Sequence, residues 1–169
     1  MIFPVSVTFN KRLKTTVTFT NKQQILQYIK KSISDDKADN IAIEEMHVTY
    51  KGSTSNWRSS LYGTVDNGLF NLLYKDNCWW LSYQINMREL FLFTSIASAV
   101  MGIIGFVADG SWWIGLGMFL WLCGANWLTN LVRHGSVATD IADGIDELIL
   151  GKPEPIEFDK MNGKLKSWF

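Results

Sequence analysis

From Leu90 to Val132 the chain runs forty-three residues with Asp109 as its only formally charged side chain. Asp109-Gly110-Ser111 divides the run into Leu90 to Ala108 and Trp112 to Val132, nineteen and twenty-one residues. At about 1.5 Å rise per residue each is roughly 30 Å long as a helix, enough to cross a bilayer core. The pattern predicts a transmembrane hairpin. A soluble chain of this size would have little left with which to wrap two such helices.

Ahead of the hairpin the periodicity changes. Phe3, Val5, Val7 and Phe9 alternate with polar residues, a basic turn follows at Asn10-Lys11-Arg12, and Thr16 to Thr20 alternates again around Val17 and Phe19, which predicts an antiparallel hairpin. Asn21 with Gln24 three residues on reads as a capping box for a helix carrying Ile25, Ile29 and Ile33, ended by Ser34-Asp35-Asp36. From Asn40 to Met87 the chain predicts a four-stranded meander: Ile41 to Lys51, Trp57 to Val65, Leu69 to Tyr74 and Cys78 to Met87. Asp66-Asn67-Gly68 is the expected tight turn before the third of these strands, since Asn-Gly accepts positive φ, and Lys75-Asp76-Asn77 the turn before the fourth.

Beyond the hairpin, Ser136 can cap a short helix with an apolar stripe of Val137, Ile141, Ile145 and Leu148 against Asp140, Asp143, Asp146 and Glu147. Gly151 to Pro155 breaks it, leaving a tail that ends in Trp168 and Phe169. The expected architecture is therefore α+β: a cytosolic domain over residues 1–88, with about six largely antiparallel strands and one helix, curled into a partial barrel. A two-helix transmembrane hairpin over 89–133 follows, then a short C-terminal amphipathic helix and tail over 134–169. Only Arg88 and Glu89 separate the last strand from the first span, so a movement of the sheet should be felt in the membrane.

Charge refines the orientation. Residues 1–88 carry a net +4 and 133–169 a net −2, too little basic excess for nucleic acid. Arg88 precedes the hairpin and Arg133 with His134 follows it, while the connecting loop has no Lys or Arg, so both termini are expected in the cytoplasm of a plasma or bacterial inner membrane. The N-terminus lacks the charged start and apolar run of a signal peptide, and insertion is expected through the hairpin itself. Cys78 and Cys123 lie in different environments, which fits a reducing compartment and no disulfide; no cysteine or histidine spacing suits a metal, and no cofactor is expected.

Catalytic motifs are missing: there is no GxSxG, HExxH, GxGxxG or complete phosphate loop, and Lys51-Gly52-Ser53-Thr54 only echoes the end of one. His47 beside Glu44 and Glu45 reads as a surface ladder. The expectation is a protein without enzymatic activity.

Two constellations stand out. Trp79 and Trp80, adjacent in a strand, must face opposite sides, and one of them needs cover. With Lys11, Arg12, Lys14, Arg58 and Lys75 they could form an aromatic and basic pocket for a nucleotide or other small anion, although ordinary packing or membrane contact would use the same aromatics. In the hairpin, Thr94, Ser98, Gly102 and Gly105 place small side chains on one face, Gly117 and Gly124 fall seven apart, and Asn126 and Asn130 four apart. Small faces let helices approach, and amides inside a bilayer need partners. These residues either join the two helices of one hairpin or meet a pore, another copy of the chain or another membrane protein. The expected function is a binding or sensor module coupled to a self-associating hairpin, with a membrane-perturbing effector as one variant and an immunity or accessory subunit as the alternative.

Overall fold

The computed structural model describes residues 5–36, 38–52, 62, 65–109 and 112–151. Phe3, most of the expected strand from Trp57 to Val65, Arg58 and the tail from Lys152 onward lie outside them. Among the described residues the fold is α+β with a five-stranded antiparallel sheet. The elements run β1 (Ser6–Arg12), α1 (Phe19–Asp35), β2 (Asp39–Glu44), β3 (His47–Lys51), β4 (Asn67–Lys75), β5 (Cys78–Asn86), α2 (Arg88–Asp109), α3 (Trp113–Phe119), a π-helical turn (Leu120–Ala125) and α4 (Asn126–Leu150). The sheet order is β1-β5-β4-β3-β2.

Three expectations are corrected. The run Thr16 to Thr20 is not a strand. Leu13, Thr15 and Val17 do alternate into the core, but the extended chain crosses the end of the sheet. The backbone N–H groups of Lys14 and Thr15 donate to the Asp146 carboxylate at 2.9–3.1 Å instead of to a neighbouring strand. Helix α1 then begins two residues early because Thr18 and Asn21 form the reciprocal cap, with Thr18 N–H donating to Asn21 Oδ1 at 2.7 Å. Second, Ile41 to Lys51 is not one strand: it folds back at Glu45-Met46 into β2 and β3. Asn67-Gly68 is no turn either; it lies inside β4, paired with Lys51 and Tyr50. Gly68 is required there because a Cβ would occupy the ring of Tyr50. The tight turn is Asp76-Asn77, whose φ angles of 53° and 57° suit a type I′ hairpin.

The third correction concerns the C-terminal half. Gly135-Ser136 does not separate a membrane helix from a short amphipathic one. Trp113 to Leu150 is a single helix of 38 residues, interrupted only by the change of hydrogen-bond period in the π turn. It is long and apolar enough to cross a membrane, as is α2. Only 17% of the apolar stretch of α2 and 11% of that of the long helix is buried. Phe93, Ile103, Val107, Trp113, Trp121 and Val132 stand open, an arrangement water would penalise at about 25 cal/mol per Å2 of apolar surface. The two helices meet where Gly102 faces Gly115: a Cβ on Gly115 would lie 2.7 Å from the Gly102 Cα.

Past Val132 the same helix changes role. His134, Ala138, Ile141, Ala142 and Ile145 are buried against β1 and β5, while α1 lies beside them over β2 and β3 and buries Ile25, Leu26, Ile29 and Ile33. Gly144 permits the crossing with α1, since the Tyr28 hydroxyl sits where its Cβ would be. The helices thus cover the sheet face formed by Phe9, Tyr83, Phe70 and Val48. Strand β5 also passes into α2 with only the buried Met87 between them. The Asp66 carboxylate accepts from the Glu89 N–H at 3.1 Å, capping the start of α2. The sheet is therefore tied to both apolar helices.

The Asp146 carboxylate satisfies two backbone donors at the end of the sheet, so Asp146→Ala should cost about 1–3 kcal/mol. A lowered thermal midpoint of the detergent-solubilised protein, with an unchanged helical circular dichroism spectrum, is the expected result.

Candidate functional site

Two clusters of polar side chains attach to the long helix, one near the apolar hairpin and one at the far end of the sheet. The near cluster is buried. His134, two residues after the last apolar residue of the hairpin, has no exposed surface. Its Nδ1 lies 2.8 Å from the Tyr83 hydroxyl, which lies 2.6 Å from that of Tyr50. Tyr62 packs its ring edge-on against Tyr50, with centroids 4.6 Å apart, and also borders His134. Phe70 stacks on Tyr83 at 4.0 Å. Burial pushes the hydroxyls of Tyr83 and Tyr50 well above the ordinary phenol range, so both are neutral and form a hydrogen-bonded chain ending on the imidazole. Burial, helped by Arg133, lowers His134 to about 4. Its Nε2 has no hydrogen-bond partner among the described residues. Protonation would make both ring nitrogens N–H donors and bury a charge, with Nε2 left unpartnered. Sequence reasoning treated His134 as a flank; the signal it lacked was that the helix continues into the core.

The far cluster is open. Arg12, Leu13, Lys14, Thr15, Thr16, Tyr74, Asn77, Cys78 and Trp79 line a groove of about 710 Å3. Of the residues expected to bind a ligand, Lys14 and Trp79 line it, and Arg12 borders it from the strand end on the face that carries Trp80. Trp79 pairs across the strands with Tyr74, ring centroids 5.2 Å apart. Trp80 occupies the opposite sheet face, in the row Arg12, Trp80, Leu73, and donates its indole N–H to the Lys75 carbonyl at 3.3 Å. Lys11 pairs with Leu81 in the sheet, and Lys75 lies 4.0 Å from Asp76; neither lines the groove. Tyr74, Asn77 and Cys78 were not among the expected binding residues. They enter through the Asp76-Asn77 turn, which brings the ends of β4 and β5 to the same rim.

The hairpin residues divide. Thr94, Ser98 and Gly105 are buried and Gly102 meets Gly115, a partner that spacing within the first helix could not reveal. Thr94 and Ser98 also donate their hydroxyls to Leu90 and Thr94 carbonyls of their own helix, at 2.9 and 2.6 Å. Asn126 and Asn130 do likewise, their side-chain amides donating to the Leu122 and Asn126 carbonyls at 2.6 and 2.9 Å. Asn130 is buried and Asn126 exposed. Gly117 and Gly124 touch nothing within 4 Å of where a Cβ would stand. His47 and Glu44 pair at 2.9 Å on the exposed β2–β3 hairpin.

The histidine sets a direction for pH. A folded pKa near 4 against an ordinary 6.5 means that the unfolded chain takes up the proton first. The associated stability is complete above about pH 6.5 and is lost progressively as pH falls toward 4. A full shift of this kind corresponds to roughly 3 kcal/mol. Urea midpoints measured from pH 7.5 to 4.5 should fall with acidity in the native protein and fall less steeply in His134→Gln.

Comparison with protein-family models, curated proteins and solved structures finds no match to this chain.

Proposed function

We propose that this chain is a small, non-enzymatic integral membrane protein in which a cytosolic α+β binding module is rigidly coupled to a two-helix hairpin. The carrying observation is the helix Trp113 to Leu150, whose first half exposes Trp113, Trp121 and Val132 and whose second half buries Ala138, Ile141 and Ile145 under the sheet. A binding event on the sheet then acts on the bilayer segment without crossing a loop. Arg88 and Arg133 at the sheet-side ends of the two helices support a cytoplasmic position for the sheet and both termini. In this reading the hairpin associates with further copies and, on a signal, perturbs the membrane.

A second reading makes the protein an accessory or immunity subunit that holds another membrane protein. It is favoured by Gly117 and Gly124, whose small surfaces face open space while Gly102 and Gly115 are used within the hairpin. The two readings part on stoichiometry: a defined oligomer in detergent and in nanodiscs supports the first, a strict monomer the second.

Topology is tested with single cysteines in a Cys78→Ser, Cys123→Ala background. The protein should remain in the membrane pellet after alkaline carbonate extraction. A membrane-impermeant maleimide added to intact cells should label Trp112→Cys and leave Ser136→Cys unlabelled. Release by carbonate, or labelling of Ser136→Cys, would refute the reading.

A further inference from the structure

We infer that the groove at the membrane-distal end of the sheet binds a nucleotide, meaning a phosphate ester that carries a planar base. The groove, about 710 Å3, lies within the usual range for small-molecule sites, about 300–1,000 Å3. Its aromatic wall is Tyr74 with Trp79, a pair tilted by 54° at a centroid distance of 5.2 Å. Tyr74 is 61% exposed, so an apolar ring face is held at the surface on a hairpin whose tight turn fixes its position. Bases stack on such faces, worth about 1–3 kcal/mol per base.

The electrostatics select the other half of the ligand. Lys14 lines the groove, and Arg12, whose place in the sheet is on the Trp80 face, borders it at the strand end; neither has an ion-pair partner among the described residues. The nearby carboxylates are committed elsewhere: Asp146 to the backbone N–H groups of Lys14 and Thr15, and Asp76 toward Lys75. Arg12 and Lys14 outweigh the Asp146 charge held beside them and leave a net positive rim next to an aromatic wall, suited to a phosphate. A neutral nucleoside would leave both cations unused, and a sugar phosphate would leave the rings uncovered.

The groove also reaches the helix. Lys14 and Thr15, which line it, are the residues whose backbone N–H groups hold the Asp146 carboxylate of α4. A ligand that draws the Lys14 segment toward itself therefore pulls on the helix that continues into the apolar hairpin. Only this last step rests on the proposed function; the binding site stands without it.

Cys78 lines the groove while Cys123 is buried in the hairpin, so alkylation of Cys78 reports occupancy. In the full-length Cys123→Ala protein in detergent, the N-ethylmaleimide rate is measured with the four nucleoside 5′-monophosphates, cyclic dinucleotides of adenine and guanine, adenosine, and ribose 5-phosphate. At least one nucleotide should slow the reaction saturably, by about tenfold at ten times its Kd, the factor mass action gives. Adenosine and ribose 5-phosphate should protect far less at equal concentration. Arg12→Gln with Lys14→Gln should remove the protection, measured as the ratio of rates with and without ligand in that same variant. Absence of protection by every nucleotide, equal protection by adenosine or by ribose 5-phosphate, or protection that survives the double substitution would overturn the inference. Each of those outcomes leaves the maleimide topology result standing, and a failed topology with intact nucleotide protection would remove the membrane reading alone.

Discussion

One backbone constraint governs this structure: the long helix has no break between its apolar half and its packed half. An N–H inside a helix is committed to a carbonyl one turn back, so bending it at Arg133 to Gly135 would break the hydrogen bonds of the turn that carries the buried His134. The segment around His134 is therefore stiff although its surroundings change there from apolar surface to protein core. The second attachment, through Met87, adds to the first. A sheet held by one helix could swivel about it; here it is held by two that pack together through Gly102 and Gly115.

The polar groups follow from that arrangement. Where the long helix enters the core it brings an imidazole against two phenols, and a neutral hydrogen-bonded chain is the form such a cluster can take without stranding a charge. At the other end the helix finishes beside the crossing from β1 to α1, where Asp146 answers the Lys14 and Thr15 N–H groups. The groove with Arg12, Lys14 and Trp79 lies next to that contact. Polar chemistry is thus placed at both ends of the packed half of the helix, with apolar packing between.

Much of the architecture was legible in the chain. The two apolar helices, α1, the Asp76-Asn77 turn and the strand from Cys78 follow from periodicity and turn chemistry, because each is decided by local residues. The errors share a cause, namely local signals answered by distant partners. Thr15 and Val17 alternate as strand residues do, but a carboxylate more than a hundred residues away, Asp146, accepts from the Lys14 and Thr15 N–H groups in place of a ladder partner. Asn67-Gly68 has the composition of a turn, yet its glycine serves the ring of Tyr50. Ser136 has the composition of a cap, yet the helix needs none because it has already begun. In the candidate sites, spacing placed Arg12, Lys14 and Trp79 among the binding residues, whereas Tyr74, Cys78 and Gly115 depend on which strands and helices become neighbours.

Stiffness at the junction is most directly measured by hydrogen exchange of the full chain in nanodiscs. Amides of Val132 to Ala138 should exchange as slowly as those of the central strands β4 and β5, and in the same cooperative opening. Fast exchange confined to Arg133 to Ser136, with protected helix on both sides, would reveal a hinge and contradict the account.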